Sequence, residues 1–300
     1  SSVLRMIAGL EEITEGELYI DGKLMNEVDT KDWDIAMVFQ NYALFPHMPI
    51  HENMKFGLDL RKMPKSKWDS RIKEAADILG IEQFLSRKPR ELTAELRQKA
   101  ALACAVVHEP KVILMDELLS NLDANIRVQM RAEIVKLHNR LKTTTIYVTN
   151  DQTEAMAMGT RIVVMKNGII QQVDTPRKLY AHPVNQFVAG FVGSPPMNFI
   201  PVTLVRKSNG VFAVFEDNKI KIPEGKVKKL KDSSYVGKEV IMGIRPEDVH
   251  DEEIFLHSVE ESTIEAYVEL VELMGSETYL YLKAGSNNLT ARVNPRSTAR

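Results

Sequence analysis

Asp116 and Glu117 follow a run of four apolar residues, Val112-Ile113-Leu114-Met115. With no polar alternation, such a run reads as a strand buried on both faces of a parallel sheet. Its carboxyl end is the edge at which open α/β folds bind ligands. Adjacent residues on an extended chain point in different directions. One carboxylate can therefore hold Mg²⁺ while the next orients a water for attack on a phosphate. The dipeptide alone fits equally well a strand end whose acids are simply solvated. Gln40 and Asn41 close another apolar strand, Ile35 to Phe39, and Asn150 follows a third, Thr144 to Thr149.

The elements that must position these residues alternate along the chain. Apolar residues at helical spacing run from Ser2 to about Leu10, and Glu17 to Ile20 with Lys23 to Val28 form a strand pair about an Asp21-Gly22 turn. A helical block follows, at His51 to Arg61, Lys65 to Leu79 and Glu95 to His108, and helices at Ala124 to Leu141 and Gln152 to Met158 flank the third strand. Strand Arg161 to Met165 leads into an Asn167-Gly168 hairpin, and helices cover Pro176 to Phe191. Strands alternating with long helices predict an α/β layered domain. Gly193-Ser194-Pro195-Pro196 marks a domain boundary, after which short β-rich runs separated by glycine and charged turns predict a small all-β barrel or sandwich.

Composition narrows the function. The 300 residues carry 39 Lys+Arg against 41 Asp+Glu, a formal charge of -2. Without a basic excess, a binder that tracks nucleic-acid phosphates loses its main electrostatic term, so no nucleic-acid partner is expected. Cys104 is the single cysteine and sits in an apolar run, the place of a buried small hydrophobe in a reducing cytosol. No apolar stretch approaches the ~20 residues of a membrane helix, so a membrane role must come through a partner.

Several segments together resemble one family. Asp116 to Arg127, DELLSNLDANIR, is similar to the strand end and following turn of ATP-binding-cassette ATPases. Leu4 to Glu12, LRMIAGLEE, resembles the helix after the phosphate-binding loop in the sugar-importer branch, and Ile35 to Met48, IAMVFQNYALFPHM, resembles the glutamine loop. Thr144 to Gly159, TTIYVTNDQTEAMAMG, looks like the strand and switch loop after the catalytic acid. Gly243 to Asp248, GIRPED, is similar to the regulatory β-domain of maltose and glycerol-phosphate importer subunits.

The resemblance implies a P-loop NTPase-type ATPase domain over residues 1–194 with a helical subdomain at about 46–108, then an OB-like regulatory β-domain of the TOBE type over 195–300. It implies ATP and Mg²⁺ as cofactors. Glu117 would be the general base and Asp116 a Mg²⁺ ligand. Gln40 would contact Mg²⁺ and the attacking water, and Asn150 would take the switch position. Ser1, with Ser2 beside it, would align with the hydroxyl that closes the phosphate-binding loop and ligates Mg²⁺. Thr93, Ala94, Glu95 and Leu96 would be the signature that meets ATP on the opposite subunit, and the turn Ser120-Asn121-Leu122-Asp123 would contact that subunit. The bland alternatives are a polar strand end for Gln40, a helix N-cap for Asp123 and a frayed terminus for Ser1. Implied partners are a second copy, transmembrane permease subunits, indirectly a solute-binding protein, and regulators at the β-domain, with the chain peripheral on the cytoplasmic face of the membrane. Leu44, Phe45, Met48 and Phe56, in the block from Tyr42 to Leu60, would offer a permease helix an exposed apolar groove, with ordinary core packing as the equal alternative.

The chain departs from the pattern at four places. No GxxxxGK[ST] loop occurs in the 300 residues, so the cassette domain is expected to begin before Ser1 and the β-domain to continue past Arg300. Ala94 and Glu95 replace signature glycines, and a Glu95 carboxylate about 5 Å from a phosphate charge would oppose it by ~3 kcal/mol at an effective dielectric of about 20, unless it rotates away. Asn150 holds the place of the switch histidine and reaches less far than an imidazole. Leu118 replaces a proline, a milder change. These departures leave a second reading open, a catalytically degenerate dimer-forming or regulatory subunit. A DNA-repair cassette ATPase is disfavoured by the near-neutral charge.

Overall fold

The computed structural model describes residues 1–40, 43–230, 233–258 and 260–299, so Asn41 and Tyr42 of the expected glutamine loop, and Arg300, lie outside the described residues. The chain forms two compact units, Ser1–Gly159 and Thr160–Arg300.

The first unit is built on a parallel sheet of β3 (Ile35–Val38), β4 (Val112–Asp116) and β5 (Thr144–Val148), preceded by α1 (Ser2–Ile7) and a hairpin of β1 (Tyr19–Ile20) and β2 (Lys23–Leu24). β4 is central, with Met115 opposite both Val38 and Tyr147. Its Ile113, Leu114 and Met115 are buried, as the unbroken apolar run requires. The hairpin is shorter than expected because a side chain replaces the ladder. Asn26 accepts from the Leu18 N–H at 2.8 Å and donates to the Gly16 carbonyl at 3.0 Å. α1 likewise stops at Ile7 instead of reaching Leu10, since Gly9 turns left-handed at φ 70° where a Cβ would lie 2.2 Å from Thr30.

Helices α2 (Ile50–Leu60), α3 (Trp68–Leu79) and α4 (Ala94–Val106) form the helical block. Lys65–Lys67 make a 3₁₀ turn instead of the first turn of α3, and Gly80 ends α3 in the left-handed conformation. Ile50, Met54, Leu58, Ile72, Leu102 and Ile113 share one core with the sheet. Cys104 packs against that core, and burial pushes its thiol up to about 12, which keeps it protonated and inert. α5 (Ala124–Leu141) and α6 (Gln152–Met158) complete the unit, with the bounds that periodicity predicts.

His108, just past α4, buries both ring nitrogens without a hydrogen-bond partner. Burial and then the Arg61 charge push its pKa from 6.5 down to about 4, against an opposing pull from Asp34. The folded state therefore keeps His108 neutral. Its contribution is complete above pH 6.5 and is lost as pH falls from 6.5 toward 4. Urea unfolding should show about 1 kcal/mol less stability at pH 5.5 than at pH 7.5 from this group. A His108→Leu variant should lack that increment, and an equal acid loss in the variant would contradict the assignment.

The second unit opens with a hairpin of β6 (Ile162–Lys166) and β7 (Ile169–Asp174), turned by Asn167 and Gly168 at positive φ, followed by α7 (Pro176–Ala181) and α8 (Gln186–Phe191). Two antiparallel sheets follow. The first orders its strands β10 (Asn218–Lys221), β9 (Gly210–Phe215), β8 (Asn198–Lys207) and β11 (Glu239–Ile244), with the short α9 (Glu224–Val227) between β10 and β11. The second, after α10 (Glu253–Ser258), orders β12 (Tyr267–Leu273), β13 (Thr278–Ala284) and β14 (Asn287–Val293). Ile200, Val202, Val211, Phe215, Ala284 and Leu289 fill one core between them, and Asn198 joins the sheets by exchanging two hydrogen bonds with Thr290.

The break in compactness at residue 159 precedes the expected boundary at 194, and Arg245 shows why. The residue is 6% exposed, and its guanidinium donates to the Val192 carbonyl at 2.6 Å and the Tyr180 carbonyl at 2.7 Å and stacks 3.8 Å over the Tyr180 ring. Gly193 leaves the space, since a Cβ there would lie 2.6 Å from the Arg245 Nη1. The segment carrying α7 and α8 is thus clamped to the β-sheets. Lysine cannot bond both carbonyls and stack as well. Arg245→Lys should cost about 2 kcal/mol by calorimetric unfolding, whereas an unchanged transition would remove the clamp from the account.

Candidate active site

The parallel register brings three strand ends to one edge, and each expected polar residue stands there. Asp116 is the last residue of β4, and Glu117 follows it with backbone φ 48°, a left-handed conformation unusual for glutamate. The Glu117 N–H donates to the Val148 carbonyl of β5 at 3.0 Å, which fixes this turn against the neighbouring strand. Such strained positions persist where the surroundings over-determine them, and they cluster at functional sites.

Three side-chain bonds tie the edge together. Asn150 Nδ2 donates to Glu117 Oε1 at 2.6 Å. Ser1 Oγ donates to Asp116 Oδ1 at 2.9 Å across 115 residues of sequence. Gln40 Nε2 donates to Ser120 Oγ at 3.1 Å, and Ser120 Oγ donates to the Glu117 carbonyl at 2.8 Å. The Gln40 amide therefore meets the turn after the acid, while Asn150 meets the acid itself. Ser2 stands exposed at the first residue of α1.

The turn residues divide in role. Asn121 is exposed, Leu122 is buried in the core, and Asp123 caps α5 by accepting from the Ile126 N–H at 3.0 Å. Leu118 is buried too, and the fully buried Gln98 of α4 donates to its carbonyl at 2.9 Å. That bond ties α4, which begins beside Thr93, to the segment carrying the acids.

Thr93 to Leu96 sit at the N-terminus of α4, where Thr93 Oγ1 caps the helix by accepting from the Leu96 N–H at 3.3 Å. Ala94 begins the helix and is half-buried. Glu95 pairs with Lys99 Nζ at 2.9 Å, one helical turn on. An ammonium thus stands beside the carboxylate that takes the place of a glycine.

The four apolar residues of the expected groove divide between core and surface. Leu44 packs against the core and Met48 is half-buried, while Phe45 and Phe56 remain exposed as an edge-to-face pair with ring centroids 4.8 Å apart. Among the described residues no helix is long and apolar enough to cross a membrane.

A buried polar network behind the edge escapes sequence reasoning. Glu154 of α6, 2% exposed, accepts from Tyr147 Oη at 2.9 Å and Thr149 Oγ1 at 2.7 Å. Burial, with the Glu154 charge beside it, pushes the Tyr147 phenol well above its ordinary range, so it remains a donor. The sequence signal is slight, since an acid in a first helical turn usually serves the helix dipole.

The ABC transporter family profile matches residues 1–120, and the MalK OB fold domain profile matches residues 193–249. The oligosaccharides import ATP-binding protein MsmX of Bacillus subtilis (strain 168) is 55% identical over 296 residues, covering 99% of this chain and 80% of that protein. This chain belongs to the ATP-binding-cassette transporter ATPases. The multiple sugar-binding transport ATP-binding protein MsmK of Streptococcus mutans is 50% identical, again over 99% of this chain and 80% of the relative. Among solved structures, the dimeric post-hydrolysis state of the ATP-binding cassette MJ0796, bound to ADP and Pi, aligns with TM-score 0.51 and 29% identity over 59% of this chain and 80% of that one. The family binds ATP, and its activity is ATP hydrolysis coupled to transport. A cassette ATPase domain of mixed α/β structure and an OB-fold domain behind it are thus what the chain contains.

Proposed function

We propose that this chain powers the import of sugars or oligosaccharides, with Glu117 as the general base at the carboxyl edge of the parallel sheet. The bond from Asn150 to Glu117 carries the reading, because it orients a carboxylate that must accept a proton from an attacking water. Asn150 supplies the donor that a histidine would otherwise supply, and at 2.6 Å its shorter side chain already reaches. The named roles of MsmX and MsmK, relatives at 55% and 50% identity, support sugar as the solute class.

Asp116 and Ser1 present oxygens 2.9 Å apart at the same edge, a donor set of the hard type that suits Mg²⁺. With Gln40 they would hold the ion that accompanies ATP, which would neutralise phosphate charge and orient the γ-phosphate. No phosphate-cradling loop lies in the 300 residues, so these residues account for the metal and water side of the site. Glu117 then takes the proton, Asn150 keeps it aimed, and Ser120 links Gln40 to the Glu117 backbone.

The cassette domain spans 1–194 in this reading, with its helical subdomain at about 46–108, and the OB-like domain spans 195–300; the profile match that begins at 193 supports where the latter starts, although α7 and α8 are clamped to its sheets. Two copies face each other, so that Thr93 to Leu96 and the turn Ser120 to Asp123 of one approach ATP on the other; that MJ0796 was solved as a dimer supports the pairing of two copies. The Glu95–Lys99 pair sets an ammonium beside the carboxylate, which lessens the charge conflict that favoured a degenerate subunit. The exposed Phe45 and Phe56 receive a permease helix, placing the chain on the inner face of the membrane, and a solute-binding protein acts through that permease. The β-domain offers a surface for regulators.

Reconstitution with the permease pair and its solute-binding protein in vesicles tests the reading. Oligosaccharide added on the binding-protein side should accelerate ATP hydrolysis and accumulate inside. Hydrolysis that ignores every sugar offered, or uptake that proceeds without ATP, would overturn it.

A further inference from the structure

Arg127 lies on α5, one turn beyond the Asp123 cap, and the sequence assigns it nothing. Its guanidinium reaches two segments at once. Nη2 donates to the Leu122 carbonyl at 3.0 Å, inside the turn Ser120 to Asp123. Nη1 stands 3.7 Å from Asp151, and Nε stands 4.0 Å from the buried carboxylate of Glu154. Asp151 in turn caps α6, accepting from the Thr153 N–H at 2.7 Å and the Glu154 N–H at 3.3 Å. The Asp151 N–H donates to Thr149 Oγ1 at 2.9 Å, and Thr149 donates to Glu154. Asn150 is therefore bracketed. Both of its neighbours belong to a network that closes on Arg127, while its own amide holds Glu117.

We propose that Arg127 is a positioning residue that couples the turn Ser120 to Asp123 to the switch segment 149–154, so that a displacement of that turn re-aims Asn150 on Glu117. A flat, forked cation suits the task because it can bond a carbonyl with one arm and face two carboxylates with the others. Its Nε is buried and makes no hydrogen bond, so it holds a donor in reserve for Glu154 if the segments draw together. The inference rests on the proposed roles of Asn150 and Glu117 and adds the route by which the turn reaches them.

The test is a double-mutant cycle in the full-length protein assembled with its permease. Arg127→Met should lower kcat about tenfold or more, with KM for ATP changed less than about twofold, because the lost interaction orients a catalytic group without binding substrate. In an Asn150→Ala background the same change should cost less than about twofold, since the group it positions is gone. Arg127→Lys, which keeps the charge and the fold but not the fork, should fall between. Independently of turnover, hydrogen exchange in Arg127→Met should quicken at the amides of both 120–123 and 151–154. Losses that multiply with Asn150→Ala, a raised KM at unchanged kcat, or exchange that quickens in one segment or across the whole unit would each overturn the coupling. If Asn150→Ala alone leaves kcat unchanged, the proposed role of Asn150 fails, and with it this inference, whatever the exchange shows about the link between segments.

Discussion

Replacing Glu117 by glutamine should lower ATP hydrolysis about 10²–10⁴-fold, the range that a positioned general base contributes, while ATP affinity stays nearly unchanged. Glutamine keeps the size of the side chain and an Oε1 that can still accept from Asn150, so the edge retains its shape. What disappears is the ability to take a proton. Asp116→Asn offers the contrast: it weakens the oxygen pair formed with Ser1, and its loss should be relieved by raising the Mg²⁺ concentration. Phosphate release measured beside nucleotide binding separates the two, and a Glu117→Gln enzyme that turns over normally would remove Glu117 from the mechanism.

The second large effect is expected at Asn150. Asn150→Ala deletes the donor at 2.6 Å from Glu117 and should reduce kcat about 10²-fold, the low end for loss of an oriented donor at a reacting centre. Asn150→His replaces it with a longer donor and should retain a substantial fraction of the rate. The pair of variants checks reach against chemistry. If both are as slow as each other, the position needs an amide specifically and the equivalence with a histidine fails.

Much of this site is legible in the sequence because strands of a parallel sheet end on the same edge. The apolar runs before Gln40, Glu117 and Asn150 become β3, β4 and β5, and pairing Val38 and Tyr147 with Met115 carries all three polar residues to one place. The helices α5 and α6 are legible for a similar reason, since periodicity and the Asp123 and Asp151 caps fix their starts. The Glu95–Lys99 pair lies at an i, i+4 spacing inside the helix that periodicity predicts from Glu95. Other features carry no local signal. The Arg245 clamp joins a guanidinium to carbonyls 53 and 65 residues away, and the Arg127 fork depends on how α5 packs on α6. Any residue can offer a carbonyl, so no pattern of residue types announces such bonds.

The most direct test of the sheet-edge account is the cleavage of ATP already bound, followed by rapid quench in a single turnover on the full-length protein with its permease. The account predicts that bound ATP is cleaved about 10²-fold or more slowly in both Glu117→Gln and Asn150→Ala than in the parent, with the amount of ATP bound at the start unchanged. Equal cleavage rates in parent and variants, at equal initial occupancy, would contradict it.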